Sequence, residues 1–260
     1  MKVVEIENVT VNYGKVSAIE DVSLTIKERD FLGIIGPNGG GKSTLLKVIA
    51  GLIDPDSGTV KVINNNSKNR QLIGYVPQAS NFEKRFPISV LEVVLMGRLD
   101  SSLKMFSRFS DRDKEIVNSI LHDMDIYNIR DRQIGQISGG QLQKVLIART
   151  LATEPQVMLL DEPTVNIDAS STGQIYQHLK KLNQKITMVI VTHDLAAINH
   201  YFDNIACLNQ KLHYYGDKKI SKDVIDETYE CPFSLLTDSN VFAFYDRGRS
   251  EERRVGKECT

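Results

Sequence analysis

Apolar and polar positions change rhythm several times along the chain, and each change marks an element. Val3-Val4-Glu5-Ile6-Glu7-Asn8-Val9-Thr10-Val11 alternates as a half-buried strand does, Tyr13-Gly14 ends it, and Val22-Ser23-Leu24-Thr25-Ile26 alternates again. The chain is therefore expected to open as antiparallel sheet. Phe31-Leu32-Gly33-Ile34-Ile35 is a continuous apolar run instead, the mark of a buried strand. The amphipathic stretch Leu45-Leu46-Lys47-Val48-Ile49-Ala50 predicts a helix closed by Gly51. Beyond the turn cluster Asp54-Pro55-Asp56-Ser57-Gly58, short strands are predicted at 59–63 and 73–76, on either side of a polar loop at 64–69.

Helical periodicity dominates residues 88–153, with Asp111 as the expected cap of a charged helix running to about Met124 and Ser138 preceding another. Apolar strand runs return at 157–160, 188–191 and 205–208, separated by helical stretches at 170–183 and 195–201. Strands of this kind alternating with helices predict an α/β fold, a mostly parallel sheet covered on both faces. One domain is expected over 1–240, with the helical block about 88–153 inserted in it as a subdomain, and a tail over 241–260.

The stretch between the first buried strand and its helix carries chemistry. Gly36-Pro37-Asn38-Gly39-Gly40-Gly41-Lys42-Ser43-Thr44 fits the phosphate-binding loop pattern without a mismatch, and its strand–loop–helix context is the one the motif requires. Glycines let successive backbone N–H groups turn inward around phosphate oxygens, and the helix dipole points at the same anion. Lys42 is expected to reach the β- and γ-phosphates and the Ser43 hydroxyl to coordinate Mg²⁺. A P-loop NTPase core follows from this context. Tyr13 is either an aromatic against a bound adenine or a half-buried strand-end residue.

Leu159-Leu160-Asp161-Glu162 puts two acids at the C-terminal end of a buried strand, where open α/β sheets bind ligands. Asp161 suits the Mg²⁺ side, and Glu162 suits polarising a water in line with the γ-phosphate. His193 follows the next strand and is expected at the same sheet edge, contacting the γ-phosphate. His122, His178, His200 and His213 show no metal-ligand spacing.

Bulk composition narrows this further. The 260 residues are enough for one large α/β domain, and a formal net charge of −1 gives no global attraction to nucleic acid. Cys207, Cys231 and Cys259 have no C-x-x-C spacing, so neither a zinc site nor a disulfide framework is expected. No N-terminal apolar core and no 18-residue apolar stretch occurs, which reads as a cytosolic chain able to dock on a membrane partner.

The assembled motifs resemble those of the ATP-binding subunits of ABC transporters. Ile137-Ser138-Gly139-Gly140-Gln141 is similar to the family signature, with Ile in place of Leu. Gln78 in Val76-Pro77-Gln78 resembles the Q-loop, and Thr164-Val165-Asn166-Ile167-Asp168 the D-loop. His193 resembles the switch histidine and Tyr13 the adenine-stacking aromatic. The resemblance implies that Gln78 serves the Mg²⁺ and the attacking water, and that Asp168, Ser138, Gly139, Gly140 and Gln141 meet nucleotide in a head-to-tail dimer. Residue physics agrees in part: Ser138-Gly139-Gly140 at a helix N-terminus is a second anion site, which one nucleotide cannot easily share with the phosphate loop of the same chain. Lys42 of one copy and Ser138 of another would clamp one ATP, with two ATPs buried at a twofold interface.

About 100 positions separate phosphate loop and signature, leaving no room for the long coiled coil of the chromosome-maintenance ATPases. A single cassette that pairs with itself and with integral membrane permease subunits remains, peripheral on the cytoplasmic face of the membrane and linked indirectly to an extracytoplasmic substrate-binding protein. Gly39-Gly40-Gly41, the run from Phe86 to Arg98 and Tyr229-Glu230-Cys231-Pro232 resemble the zinc, manganese and iron importer branch. Iron–siderophore and haem importers share a similar run and are the alternative, with a non-transport regulatory ATPase as the rival from another class. The stretch 79–96, with Phe82 and Phe86, is expected either to form the coupling groove for a permease helix or to pack the helical subdomain. Past Val241-Phe242-Ala243-Phe244-Tyr245 the tail is charged, and 249–259 resembles a translated sequencing adapter, which would give the true gene a different end.

Overall fold

The computed structural model describes residues 1–62, 72–78, 86–99, 109–217 and 222–229. The polar loop expected at 64–69, residues 79–85 of the expected coupling stretch with Phe82, and everything from 230 onward, with Cys231, Cys259 and the whole expected tail, lie outside them.

Strands β1 (Lys2–Tyr13), β2 (Val16–Lys27) and β4 (Ser57–Val62) form an antiparallel sheet in the order β2-β1-β4. A second sheet runs β5 (Ile73–Val76), β6 (Val157–Asp161), β7 (Thr187–Val191), β3 (Phe31–Ile35), β8 (Asn204–Asn209), β9 (Lys211–Asp217). It is parallel from β5 to β8, and β9 returns antiparallel. Phosphate-loop helix α1 (Lys42–Ile49) follows β3, and Gly51 past its end has φ 67°, a conformation glycine adopts without a Cβ penalty.

Alternation within each buried strand feeds two cores at once. Phe31, Met158, Leu160, Met188, Ile190, Ile205 and Cys207 face one cluster, and Leu32, Ile34, Leu159, Val189, Val191, Ala206 and Leu208 face the other. The first face is covered by α2 (Val90–Leu95), α4 (Gly139–Leu151), α5 (Ala169–Asn183), α6 (Leu195–Tyr201) and α7 (Lys222–Tyr229). The second face is covered by α1 and by the antiparallel sheet, so cover on both sides comes from two kinds of element. The inserted helices, α2 and α4 together with α3 (Asp111–Asp123), run continuously into the first cluster through Val93, Val117, Leu121 and Leu146.

One local expectation is corrected. Helix α3 is capped by Ser110, not Asp111: its hydroxyl accepts from the Asp113 backbone N–H at 3.2 Å while the Asp113 carboxylate accepts from the Ser110 backbone N–H at 3.0 Å. The reciprocal box satisfies two of the helix's free N–H donors, whereas Asp111 sits in the first turn and accepts from Lys114.

Phe202 anchors the first core. Its ring lies 5.0 Å from Phe31 and 5.9 Å edge-on to Tyr176, against Gly33, where any Cβ would press on it. Phe202→Ala is expected to lower unfolding free energy by about 3–5 kcal/mol, read by urea denaturation. A loss under about 1 kcal/mol would mean the cavity collapses freely.

Candidate functional site

Parallel strands end side by side, so their C-terminal ends bring distant residues together. β3 ends into the loop 36–41, β6 into Asp161-Glu162, β7 into Thr192-His193 and β5 into Pro77-Gln78. The loop is pressed into place by backbone. A Cβ at Gly36 (φ 149°) would run into the Leu208 carbonyl, and one at Gly41 (φ 87°) into the Ala18 carbonyl and Ile19. The Gly40 carbonyl also accepts from the Gln210 N–H at 2.9 Å. Pro37, Asn38, Gly39 and Thr44 complete the expected loop, with Thr44 already in α1.

Lys42 is almost fully buried, and its ammonium donates to the carbonyls of Pro37 at 2.6 Å and Gly36 at 2.9 Å. Three donors on an ammonium leave one to spare. Burial draws its pKa down, while Glu162 and Asp161 pull it back up, so the two acids help keep the ammonium charged.

Ser43 Oγ donates to Asp161 Oδ1 at 2.9 Å, and Tyr75 Oη donates to Asp161 Oδ2 at 3.2 Å. A serine hydroxyl and a carboxylate in contact form the hard-oxygen donor set that Mg²⁺ accepts beside a nucleotide. Among the described residues no group of three or more His, Cys, Asp or Glu could hold a metal by protein ligands alone, so phosphate oxygens and water would supply the remaining ligands.

Glu162 sits between two partners. Gln78 Nε2 donates to its Oε2 at 3.0 Å, and His193 Nε2 lies 2.6 Å from its Oε1. Its backbone is left-handed, φ 47°, and held there by its N–H on the Val191 carbonyl at 3.1 Å. A glutamate in that region costs about 1–3 kcal/mol and persists only where surroundings over-determine it. The turn that carries His193 is pinned by Thr192, whose hydroxyl bonds Tyr176 at 3.0 Å and accepts the Asp194 N–H at 3.0 Å. A groove of about 480 Å³ opens beside Glu162 and His193, lined also by Val165, Ile167 and Tyr201.

Lys42, Ser43, Gln78, Asp161, Glu162 and His193 therefore form one connected cluster. Ser138, Gly139, Gly140 and Gln141 do not join it. Ser138 caps α4, accepting the Gln141 N–H at 3.2 Å while Gln141 Oε1 accepts the Ser138 N–H at 3.0 Å. Ser138, Gly140 and Gln141 line a separate cavity of about 540 Å³ with Lys144, Ser171 and His178. Asp168 caps α5, accepting the Ser171 N–H at 2.9 Å, and Tyr13 is half exposed at the end of β1. Among the described residues, Tyr75 is a contributor to the cluster that the sequence did not reveal. It stands in an apolar strand with no spacing signal, and only the pairing of β5 with β6 brings it to Asp161.

The model of the family described as ABC transporter matches residues 19–165, over half of the chain. The chain belongs to the ABC transporter family. It is an ATP-binding cassette, and its reaction is ATP hydrolysis coupled to transport. A protein of Chlamydia pneumoniae named as a probable metal transport system ATP-binding protein is 42% identical over 211 residues, covering 79% of this chain and 84% of the relative. The zinc uptake system ATP-binding protein ZurA of Listeria innocua is 35% identical, covering 84% and 91%. The manganese transport system ATP-binding protein MntB of Bacillus subtilis is 37% identical, covering 90% and 95%. Among solved structures, one described as a metal-chelate-type ABC transporter in an inward-facing conformation superposes with TM-score 0.79 at 29% identity, covering 89% of this chain and 90% of that one. A dimeric bacterial ABC transporter cassette gives 0.68 at 31% identity, covering 83% and 98%.

Proposed function

We propose that the chain is the ATPase subunit that powers zinc or manganese import through separate permease subunits, working as a head-to-tail pair with ATP held between copies on the cytoplasmic face of the membrane. The observation that carries the pairing is the separation of the signature residues from the phosphate cluster within one chain. Each then forms half of a nucleotide site. A cassette solved as a dimer, 31% identical, supports the arrangement. Among the described residues no helix is long and apolar enough to cross a membrane, so transport needs a partner that does.

In this reading Glu162 Oε1 or Oε2 takes a proton from water as the water oxygen bonds to the γ-phosphorus and the bond from that phosphorus to the β–γ bridging oxygen breaks, with ADP as the leaving group. Gln78 and His193, which hold the carboxylate from either side, fix its direction and then share the γ-phosphate and water. Lys42 places its free N–H on the β- and γ-oxygens. Mg²⁺, held through Ser43 and Asp161 with Gln78 nearby, would neutralise charge developing on those oxygens. Tyr13 offers its exposed ring to adenine. From the partner copy, Ser138 and the Gly139 and Gly140 N–H groups meet the same γ-phosphate, with Gln141 and Asp168 at the seam. Phe86, 60% exposed ahead of α2, supports a permease helix docking there.

Zinc and manganese are favoured because relatives 35–42% identical are named for metal, zinc or manganese transport. Gene disruption with cell-associated metal measured in metal-limited medium tests this. Zinc or manganese is expected to fall and to recover with the intact gene. Unchanged levels of both would overturn this reading, and a fall confined to iron supplied as siderophore or haem would favour the chelate importers.

A further inference from the structure

Ser43 and Tyr75 donate to different oxygens of the same carboxylate, at 2.9 Å to Asp161 Oδ1 and 3.2 Å to Oδ2. One donor would leave the group free to turn about its last torsion, and two fix the plane in which its lone pairs lie. Asp161 is buried, so water cannot readily substitute for a missing donor. Burial and the neighbouring carboxylate push the Tyr75 phenol well above its ordinary range, so it stays a proton donor at any physiological pH.

The placement follows from register. Tyr75 pairs with Leu159, two residues before Asp161 on the parallel neighbour β6, and a strand rises about 6.6 Å over two residues. The tyrosine leans along the strand on the face shared with α1, packed against that cluster, and its hydroxyl arrives at the strand end. Three residues further on, the same strand end supplies Gln78 to Glu162. β5 thus braces both acids of the site.

We propose that Tyr75 is a positioning residue for the divalent cation: it holds Asp161 Oδ2 so that Oδ1 stays turned to Ser43 and to the metal. This rests on the reading of Asp161 as the cation-side carboxylate. Outer hydrogen bonds of this kind are commonly worth 10- to 100-fold in metal affinity. With phosphate oxygens sharing the cation, the lower end applies here.

The test is Mn²⁺ binding, followed by its electron paramagnetic resonance signal, to the full chain with a non-hydrolysable ATP analogue. Tyr75→Phe keeps the ring and removes only the hydroxyl. Its Mn²⁺ Kd is expected to rise about tenfold, with nucleotide affinity in EDTA unchanged and the chain still folded, although the buried carboxylate left short of a donor lowers the thermal midpoint of the ligand-free chain by a few degrees. Asp161→Asn serves as the reference and is expected to raise the Kd further, with Tyr75→Phe adding little on top of it. Loss in Asp161→Asn but parental Mn²⁺ affinity in Tyr75→Phe overturns the role of Tyr75 alone. Parental affinity in both overturns the reading of Asp161, and the proposal with it. An equal fall in metal-free nucleotide affinity would show that Tyr75 shapes the nucleotide pocket instead, and also overturns it.

Discussion

Glu162→Gln is expected to bind ATP as the parent does and to hydrolyse it about 10²- to 10⁴-fold more slowly. The substitution is nearly isosteric and keeps both contacts of the residue. Its amide oxygen can accept from Gln78 Nε2, now 3.0 Å from the carboxylate, and its amide nitrogen can donate to a neutral His193, now 2.6 Å away. The left-handed backbone is unchanged, since glutamine meets the same sterics as glutamate there. What disappears is the capacity to take a proton from water. Single-turnover hydrolysis measured beside equilibrium nucleotide binding separates the two effects. Turnover within twofold of the parent would remove Glu162 as the base and leave the water to be activated by phosphate itself.

Gly139→Asp is expected to abolish ATP-driven pairing while sparing the fold. The space beside Gly139 is nearly open: the nearest atom to an added Cβ is the Asn166 carbonyl oxygen at 3.8 Å. Gly140, by contrast, packs against Ser171 at 2.9 Å and could not be used this way. An aspartate at 139 can therefore fold normally. In a closed pair its carboxylate would face the γ-phosphate bound by the other copy. Like charges brought together cost several kcal/mol, so pairing weakens at least about 100-fold. ATP binding to the isolated chain should persist, because Lys42 and the loop are untouched. Hydrolysis at the parental rate would mean that the signature does not meet nucleotide.

Much of this architecture was legible in the chain itself. The phosphate loop announces its context because glycine spacing, a flanking apolar run and Lys42-Ser43 have few other uses together. Period-two and unbroken apolar runs located β1, β3, β6, β7 and β8 to within a few residues, because one sheet is half-covered and the other buried on both faces. Helix starts were harder. Asp111 and Ser110 are both good caps, and the choice between them depends on which can close a reciprocal box with the residue three places on. Long-range partners were not legible at all. Nothing in the strand 73–76 indicates that the Tyr75 hydroxyl meets Asp161, since that contact depends on the pairing of β5 with β6 across 86 positions of sequence. The separate placement of Ser138 was inferable only by arguing that one nucleotide cannot fill both anion sites, and its cavity gives that argument a location.

The central claim is that the cluster around Lys42 and Glu162 is half of a site completed by a second copy. Light scattering of the Glu162→Gln chain tests it directly, because trapped ATP should hold the closed pair long enough to weigh. Saturating ATP is expected to double the molar mass measured without nucleotide, and adding Gly139→Asp to the same chain is expected to return it to that of one copy. A single-chain mass at saturating ATP, or a dimer indifferent to Gly139→Asp, would contradict the account.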